Sequence, residues 1–192
     1  MVEEVKTVIA QLVEKYKRIV EENRDSKYNE EMTTKDFILP LFRALCWNVE
    51  DSSEVTAEEK VSKKRVDYGF RINGIPKFFL EAKALKEDLD NRKFIEQAIN
   101  YAWHKGCTWA VLSNFETVSI FNAELKTDSP WLTHLKTIHS YEFLKRFDEL
   151  WHACMHKWHN TTCKEPRDPV LFVSELLLAV FSEELVSLGY SL

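Results

Sequence analysis

The dipeptide Asn73-Gly74 restricts the fold of this chain more than any other feature, because extended, largely apolar segments flank it on both sides. Asn-Gly is the preferred sequence of a two-residue hairpin turn, whose central residues need positive φ angles. The pattern therefore predicts antiparallel strands over residues 61–72 and 75–82. A turn at these two residues places position 67 opposite position 80, to within about one residue if a bulge intervenes.

The second strand is apolar until it reaches Glu81 and Lys83. Side chains alternate along a strand, so these two share a face, and the hairpin brings Asp67 beside them. The carbonyl of Ala82 adds a further oxygen. Mg²⁺ prefers oxygen ligands, and a neighbouring lysine can hold an attacking water. The group predicts a divalent-metal site, and a Glu–Lys salt bridge at a strand end is the structural alternative.

Two other sets of polar residues are candidates for the same site. Gln97 and Tyr101 are spaced i, i+4 on a helix predicted over residues 91–104, so they face the same way. Glu31 precedes the second predicted helix. Structural roles remain open for both sets: a half-buried polar stripe for the pair, and a first-turn charge that favours the helix dipole for Glu31.

The charge of the chain limits how it can bind nucleic acid. A formal net charge of -5 over 192 residues argues against binding through bulk positive charge. Any contact must then be local, and we expect it from the basic cluster that enters the Asp67 strand: Lys60, Lys63, Lys64 and Arg65. These side chains can contact a phosphate backbone. A solvated strand end is the alternative.

The N-terminus and the cysteines indicate the compartment. The chain opens directly into a charged, amphipathic segment, and it has no apolar run of bilayer length. Its four cysteines are widely spaced and follow no disulfide-scaffold pattern. We expect a reduced, cytoplasmic protein without a membrane partner.

The remaining pattern predicts an α/β fold with a central mixed sheet flanked by helices. Helices are predicted over residues 2–22 and from Thr33 onward, with Thr33 or Thr34 as the cap and an irregularity at Pro40. Residues 46–49 read as a short strand, 51–59 as a loop, and 109–113 and 118–122 as strands. Helical spacing returns beyond Lys126, notably over 141–158 and 171–188. We expect a core over residues 1–125 and a C-terminal helical extension over 126–192.

The predicted extension contains a second possible metal-binding group. His152, His156 and His159 fall on one helical face, with Cys154 and Cys163 nearby. Such a face can bind Zn²⁺, although the spacing matches no standard zinc module. A solvated or partner-facing stripe is the alternative.

Together these motifs resemble the PD-(D/E)XK nuclease superfamily, whose core runs helix, three antiparallel strands, helix, strand. The signature stands here as Val66-Asp67 and Glu81-Ala82-Lys83, with Val66 in place of the proline. Residues 97–102 resemble the Gln-x-x-x-Tyr motif of type I restriction subunits and RecB-like nucleases. Residues 28–47 and 111–116 are similar to type IIG restriction–modification polypeptides. The resemblance covers about residues 19–122, and it is specific because four separated motifs keep their order and spacing.

The resemblance implies roles for individual residues. Asp67 and Glu81 would bind Mg²⁺, for which Mn²⁺ would substitute, and Lys83 would serve the water nucleophile. Glu31 matches the acidic residue of the first core helix. Gln97 and Tyr101 would organise the site or the nearby DNA strand.

The family also implies an activity and a context. The activity is that of a site-specific deoxyribonuclease domain of type II, IIG-like, which hydrolyses phosphodiester bonds of double-stranded DNA. Its partners would be methyltransferase and target-recognition domains of a longer polypeptide, and a transient dimer would cut both strands. A non-catalytic nuclease-fold module for DNA binding or assembly is the alternative, and action on RNA or free DNA ends is a third possibility.

Overall fold

The structure is a computed structural model that describes residues 2–45, 47–61, 64–124 and 134–139. It contains four α-helices and one six-stranded sheet in that part of the chain. The helices are α1 (Val2–Glu21), α2 (Glu30–Thr33), α3 (Leu39–Ala44) and α4 (Arg92–His104), and the strands are β1 (Val55–Val61), β2 (Lys64–Ile72), β3 (Ile75–Ala82), β4 (Trp109–Ser113), β5 (Thr117–Asn122) and β6 (His134–His139). None of the helices in these residues combines the length and apolar content that crossing a bilayer requires.

The strands lie in the sheet in their chain order, β1 to β6. Every neighbouring pair is antiparallel except β3 and β4, which run parallel. A parallel pair needs a crossover connection, and α4 supplies it. The predicted α/β fold with a central mixed sheet flanked by helices is therefore confirmed, as is the order helix, three antiparallel strands, helix, strand.

The β2–β3 hairpin turns at Asn73-Gly74 as predicted, with φ angles of 52° and 78°. The register differs by one residue from the simple count. A bulge between Phe70 and Arg71 shifts the pairing, so Tyr68 lies opposite Leu80. Continuing this register brings Asp67 level with Glu81 rather than with residue 80. The bulge thus sets the two acidic side chains side by side.

Strand β3 is buried on both faces of the sheet. Phe78 and Leu80 belong to the core beneath α1 to α3, whereas Phe79 belongs to the core beneath α4. Phe78 stacks on Phe70 of β2 with ring centroids 4.4 Å apart and an interplanar angle of 15°. Fully burying one such side chain stabilises the fold by about 2 kcal/mol. This packing fixes the strand whose end carries Glu81.

The second helical segment begins earlier than its sequence predicts. Asn29, not Thr33 or Thr34, is the cap of α2: its side chain accepts a hydrogen bond from the Met32 N–H at 2.8 Å. The two threonines lie inside the segment and donate their hydroxyls to carbonyls four residues back. The irregularity predicted at Pro40 is present as a π-helical turn, Thr34–Ile38, directly before α3.

Two further segments differ from their sequence-based expectation. Residues 47–49 form no strand: the Trp47 N–H bonds the Phe42 carbonyl and the Val49 N–H bonds the Trp47 carbonyl, while the Trp47 ring meets the Phe70 ring edge-on at 4.9 Å in the core. The polar stretch expected to be a loop becomes β1 from Val55 onward. Charged residues are common on the exposed edge of a sheet, and β1 lies at such an edge.

The spacing beyond Lys126 predicts helices, but part of this segment is a strand. Residues 134–139 form β6, which pairs antiparallel with β5 and extends the sheet past the predicted boundary at residue 125. Pairing with β5 outweighs a weak local preference here. The helices predicted over 141–158 and 171–188, with the histidine and cysteine cluster, lie outside the described residues.

Candidate metal centre

Asp67 is fixed at the point where β2 parts from β3. The last pair of the regular ladder toward this end is Tyr68–Leu80. One step beyond it, Oδ2 of Asp67 accepts the Ala82 N–H at 2.7 Å, so the carboxylate replaces a backbone acceptor. The N–H and C=O of one strand residue point to the same side, so the Ala82 carbonyl also faces this edge.

Glu81 is almost fully buried, with 2% of its surface exposed. Its Oε1 accepts hydrogen bonds from Lys83 Nζ at 2.6 Å and from Gln97 Nε2. Its Oε2 is buried and accepts no hydrogen bond from the described residues. A buried carboxylate oxygen without a donor is costly, which makes this atom a candidate ligand.

A third carboxylate comes from the first residue of α2. Oε1 of Glu30 lies 3.1 Å from Lys83 Nζ, and the Glu30 side chain is half exposed. One oxygen each from Glu30, Asp67 and Glu81 lie within 4.8 Å of one another. Glu31, the residue predicted from sequence, is exposed and lies outside this group. Consecutive helical residues point about 100° apart, so a helix that starts at Glu30 presents that residue instead.

Helix α4 closes the other side of the site. Gln97 donates to Glu81 and also to Tyr101 Oη at 3.2 Å, so Gln97 meets the predicted carboxylate and Tyr101 is joined to it through Gln97. One turn earlier, the Phe94 ring centroid lies 5.0 Å from Lys83 Nζ. An ammonium at that distance from a ring is held by a cation–π interaction. Phe94 is a site residue that motif reasoning missed.

The electrostatics of the group are those of crowded acids. Burial, then the charge of Asp67, raise the pKa of Glu81 from 4.5 to about 7, although Lys83 opposes the rise. Burial lowers the pKa of Lys83, but the hydrogen bond and charge of Glu81, with Glu30, outweigh it and leave the pKa raised. Burial and the charge of Glu81 also raise the pKa of Tyr101. Three carboxylates here face one ammonium.

These residues fit a hard divalent cation. The donors are all oxygens, one of them buried without a hydrogen bond, and the repulsion that raises the pKa of Glu81 would be relieved by positive charge. Asp67 and Glu81 could supply carboxylate ligands and Ala82 a carbonyl. Glu30 could bind the ion directly or through water.

The residues predicted to contact DNA lie where β1 ends and β2 begins. Residues 60 and 65 are directly opposite each other in the β1–β2 ladder, as are residues 61 and 64. Lys64 is the first residue of β2, so the basic segment approaches Asp67 along the chain. Lys63 lies outside the described residues.

Residues 52–129 match the family model described as type I restriction enzyme R protein N terminus, HSDR_N. This segment belongs to the HSDR_N family. The HSDR_N segment contains the two carboxylates of the hairpin, Lys83, Gln97 and Tyr101, whereas Glu30 precedes it. The family match therefore covers the residues of the site that come from β2, β3 and α4.

Two known proteins are similar to the chain that carries this HSDR_N segment. The type II restriction enzyme and methyltransferase RM.Eco57I of Escherichia coli is 33% identical over 164 residues, which are 76% of this chain and 16% of that protein. A solved fragment assigned to an HsdR subunit of a type I restriction enzyme from Vibrio vulnificus YJ016 aligns with a TM-score of 0.45 and 20% identity. That alignment covers 63% of this chain and 25% of the fragment.

Glu30 and Phe94, the two site residues that the motifs missed, could each have been found from a pattern in the sequence. Asn29 is a preferred helix cap, and recognising it would have made Glu30 the first residue of α2. Phe94 precedes Gln97 by three positions, which places both on neighbouring parts of one helix face.

Proposed function

We propose that this chain provides a Mg²⁺-dependent DNA endonuclease domain of the PD-(D/E)XK type that acts in a restriction–modification system. The observation that supports it best is the meeting of Glu30, Asp67 and Glu81 with Lys83 at the end of β3. The relation to restriction-enzyme domains supports a role in a restriction system. The IIG-like subtype rests on the similarity to a combined restriction enzyme and methyltransferase.

Asp67, Glu81 and the Ala82 carbonyl would hold the cation, with Mn²⁺ able to replace Mg²⁺. When bound, such an ion lowers the pKa of a water and stabilises charge on a phosphate. Lys83 would orient the attacking water and offset phosphate charge, since its ammonium is held at this edge by two carboxylates and a ring. Gln97 would keep Glu81 Oε1 engaged, which leaves Oε2 for the ion.

Substrate binding would depend on local positive charge and on other domains. Lys60, Lys63, Lys64 and Arg65 would contact the DNA backbone near the site. Methyltransferase and target-recognition domains of a longer polypeptide would supply sequence reading; the type II relative is named as both a restriction enzyme and a methyltransferase. One site cuts one strand, so a double-strand break would need two such domains paired on double-stranded DNA.

A plasmid assay tests this proposal. We expect the protein to nick supercoiled DNA when Mg²⁺ or Mn²⁺ is present, and we expect Asp67→Ala and Lys83→Ala each to lower the rate by at least about 100-fold. In a Mn²⁺ titration by calorimetry, Asp67→Ala combined with Glu81→Ala should abolish binding. Equal nicking by wild type and both single variants, or Mn²⁺ binding that survives the double substitution, would exclude the assigned site.

A further inference from the structure

The segment that joins Lys83 to α4 crosses from one core to the other. Residues 84–91 connect the end of β3 to the helix that carries Gln97. Leu85 is buried beneath α1 to α3, whereas Leu89 is buried in the core beneath α4. This crossing segment therefore sets the spacing between the two halves of the site.

Asn114, the residue that follows β4, holds the crossing segment by its backbone. Its Nδ2 donates to the carbonyl of Leu85 at 3.3 Å and to that of Glu87 at 3.1 Å. Its Oδ1 accepts the Thr117 N–H at 2.9 Å. The residue is 5% exposed, so both donor protons and the acceptor of its amide are used in a buried setting.

The turn that presents Asn114 is itself anchored. Ser113 Oγ donates to the Thr117 carbonyl at 3.0 Å and accepts the Phe115 N–H at 3.1 Å. Phe115 has a φ of 75°, which is unfavourable for a residue with a side chain. Its ring is completely buried, with its centroid 4.7 Å from that of Phe37. Core packing thus holds the backbone conformation that aims Asn114 at the crossing segment.

We propose that Asn114 is a positioning residue for Lys83, an inference that rests on the nuclease function proposed above. The Lys83 N–H bonds the Ser113 carbonyl at 2.8 Å, and two residues later Asn114 holds the Leu85 carbonyl. The backbone is therefore fixed on both sides of Lys83. This restraint keeps the ammonium over the carboxylates, while the backbones of Asp67 and Glu81 are placed by the sheet.

The Asn114→Asp variant separates this role from a general structural one. The aspartate keeps the side-chain oxygen that accepts the Thr117 N–H. Its second carboxylate oxygen takes the place of the amide nitrogen and repels the Leu85 and Glu87 carbonyls. Ser113→Ala is the matched control, because it weakens the same turn and leaves the amide of Asn114 in place. We expect Asn114→Asp to slow nicking by about tenfold or more, with Mn²⁺ affinity within about twofold of wild type. Ser113→Ala should change both quantities by less than about twofold.

Amide hydrogen exchange gives a readout that needs no activity. In Asn114→Asp the Glu87 N–H, which bonds the Ala84 carbonyl within the crossing segment, should lose protection, while the Thr117 N–H should keep it. In Asn114→Ser, whose side chain is smaller and uncharged, the Glu87 and Thr117 N–H groups should both lose protection. This variant replaces Asn114→Asp in the experiment if the aspartate variant does not fold.

The outcomes are distinct. A protected Glu87 N–H in both variants, nicking equal to that of Ser113→Ala, or a Mn²⁺ affinity that falls in step with the rate would overturn the role of Asn114. Absence of nicking by the wild-type protein would instead reject the proposed function, and the exchange experiment would still decide whether Asn114 holds the segment.

Discussion

Replacing Glu81 by glutamine should stabilise the cation-free protein, although it removes a buried ion pair with Lys83. The cause is that burial and Asp67 make ionised Glu81 unfavourable. A pKa that rises from 4.5 to about 7 on folding, at about 1.4 kcal/mol per pH unit, corresponds to about 3 kcal/mol. Glutamine has the shape of the protonated acid and does not ionise, so the variant escapes this cost.

The pH dependence gives the sign of the effect. Between about pH 4.5 and pH 7 the folded protein keeps a proton on Glu81 that the unfolded chain releases, so wild-type stability falls as pH rises. Urea unfolding in chelator should give nearly equal stabilities for wild type and Glu81→Gln below about pH 4.5, and an advantage of about 3 kcal/mol for the variant near pH 8.

Excess Mg²⁺ should narrow or reverse this difference, because only the wild type keeps the carboxylate ligand. The reasoning is refuted if Glu81→Gln is the less stable protein near pH 8 without cation. Glu81 and Lys83 would then be a stabilising salt bridge, which is the structural alternative for this strand end.

Three other substitutions test separate parts of the site. Glu30→Gln should lower the nicking rate by at least about tenfold, whereas Glu31→Gln, its exposed neighbour, should lower it by less than about twofold; equal effects would reject the placement of Glu30. Gln97→Leu removes a hydrogen-bond donor to Glu81 and should weaken Mn²⁺ binding by about 10-fold to 100-fold in calorimetry. An unchanged Mn²⁺ affinity would show that α4 does not contribute to cation binding. Asn91→Ala removes the cap of α4, whose oxygen accepts the Lys93 N–H, and should cost about 1 kcal/mol in urea unfolding. Asn91→Ser, which keeps a capping oxygen, should retain most of the wild-type free energy of unfolding. If it is as unstable as Asn91→Ala, the lost stability has a cause other than capping.

The sequence predicted the centre of the fold well, because strong local signals and burial agree there. Asn73-Gly74 defined the hairpin, and the apolar run before Glu81 defined β3. The register lies one residue from the simple count, within the margin that the prediction allows for a bulge, because the bulge at Phe70 and Arg71 leaves no mark in composition. At the site this shift matters, because it places Asp67 level with Glu81 and on the same face of the sheet, and the Asp67 side chain then reaches the Ala82 N–H.

The failures occurred where tertiary contacts outweigh local preference. The motif indicates Glu31 because it gives only the neighbourhood of the acidic residue, whereas the cap at Asn29 makes Glu30 the first residue of α2, and Glu30 is the side chain that joins the carboxylates. The β6 strand, residues 134–139, forms by pairing with β5, a partner that local spacing cannot reveal. Local sequence patterns could not predict the hydrogen bonds from Asn114 to the crossing segment, because their partners are separated by 29 and 27 positions in the chain.

The double-sided burial of β3 has a consequence for when the site exists at all. A strand in the middle of a sheet, packed on both faces, exchanges its amides only when the whole domain opens. Glu81 and the Ala82 carbonyl are therefore present in every folded molecule and disappear only with global unfolding. Glu30 belongs instead to the half-exposed first turn of a helical segment, and the first turn of a helix can open locally while the rest of the domain stays folded. The centre thus combines candidate ligands that last as long as the fold with one on a helix turn that can open without global unfolding.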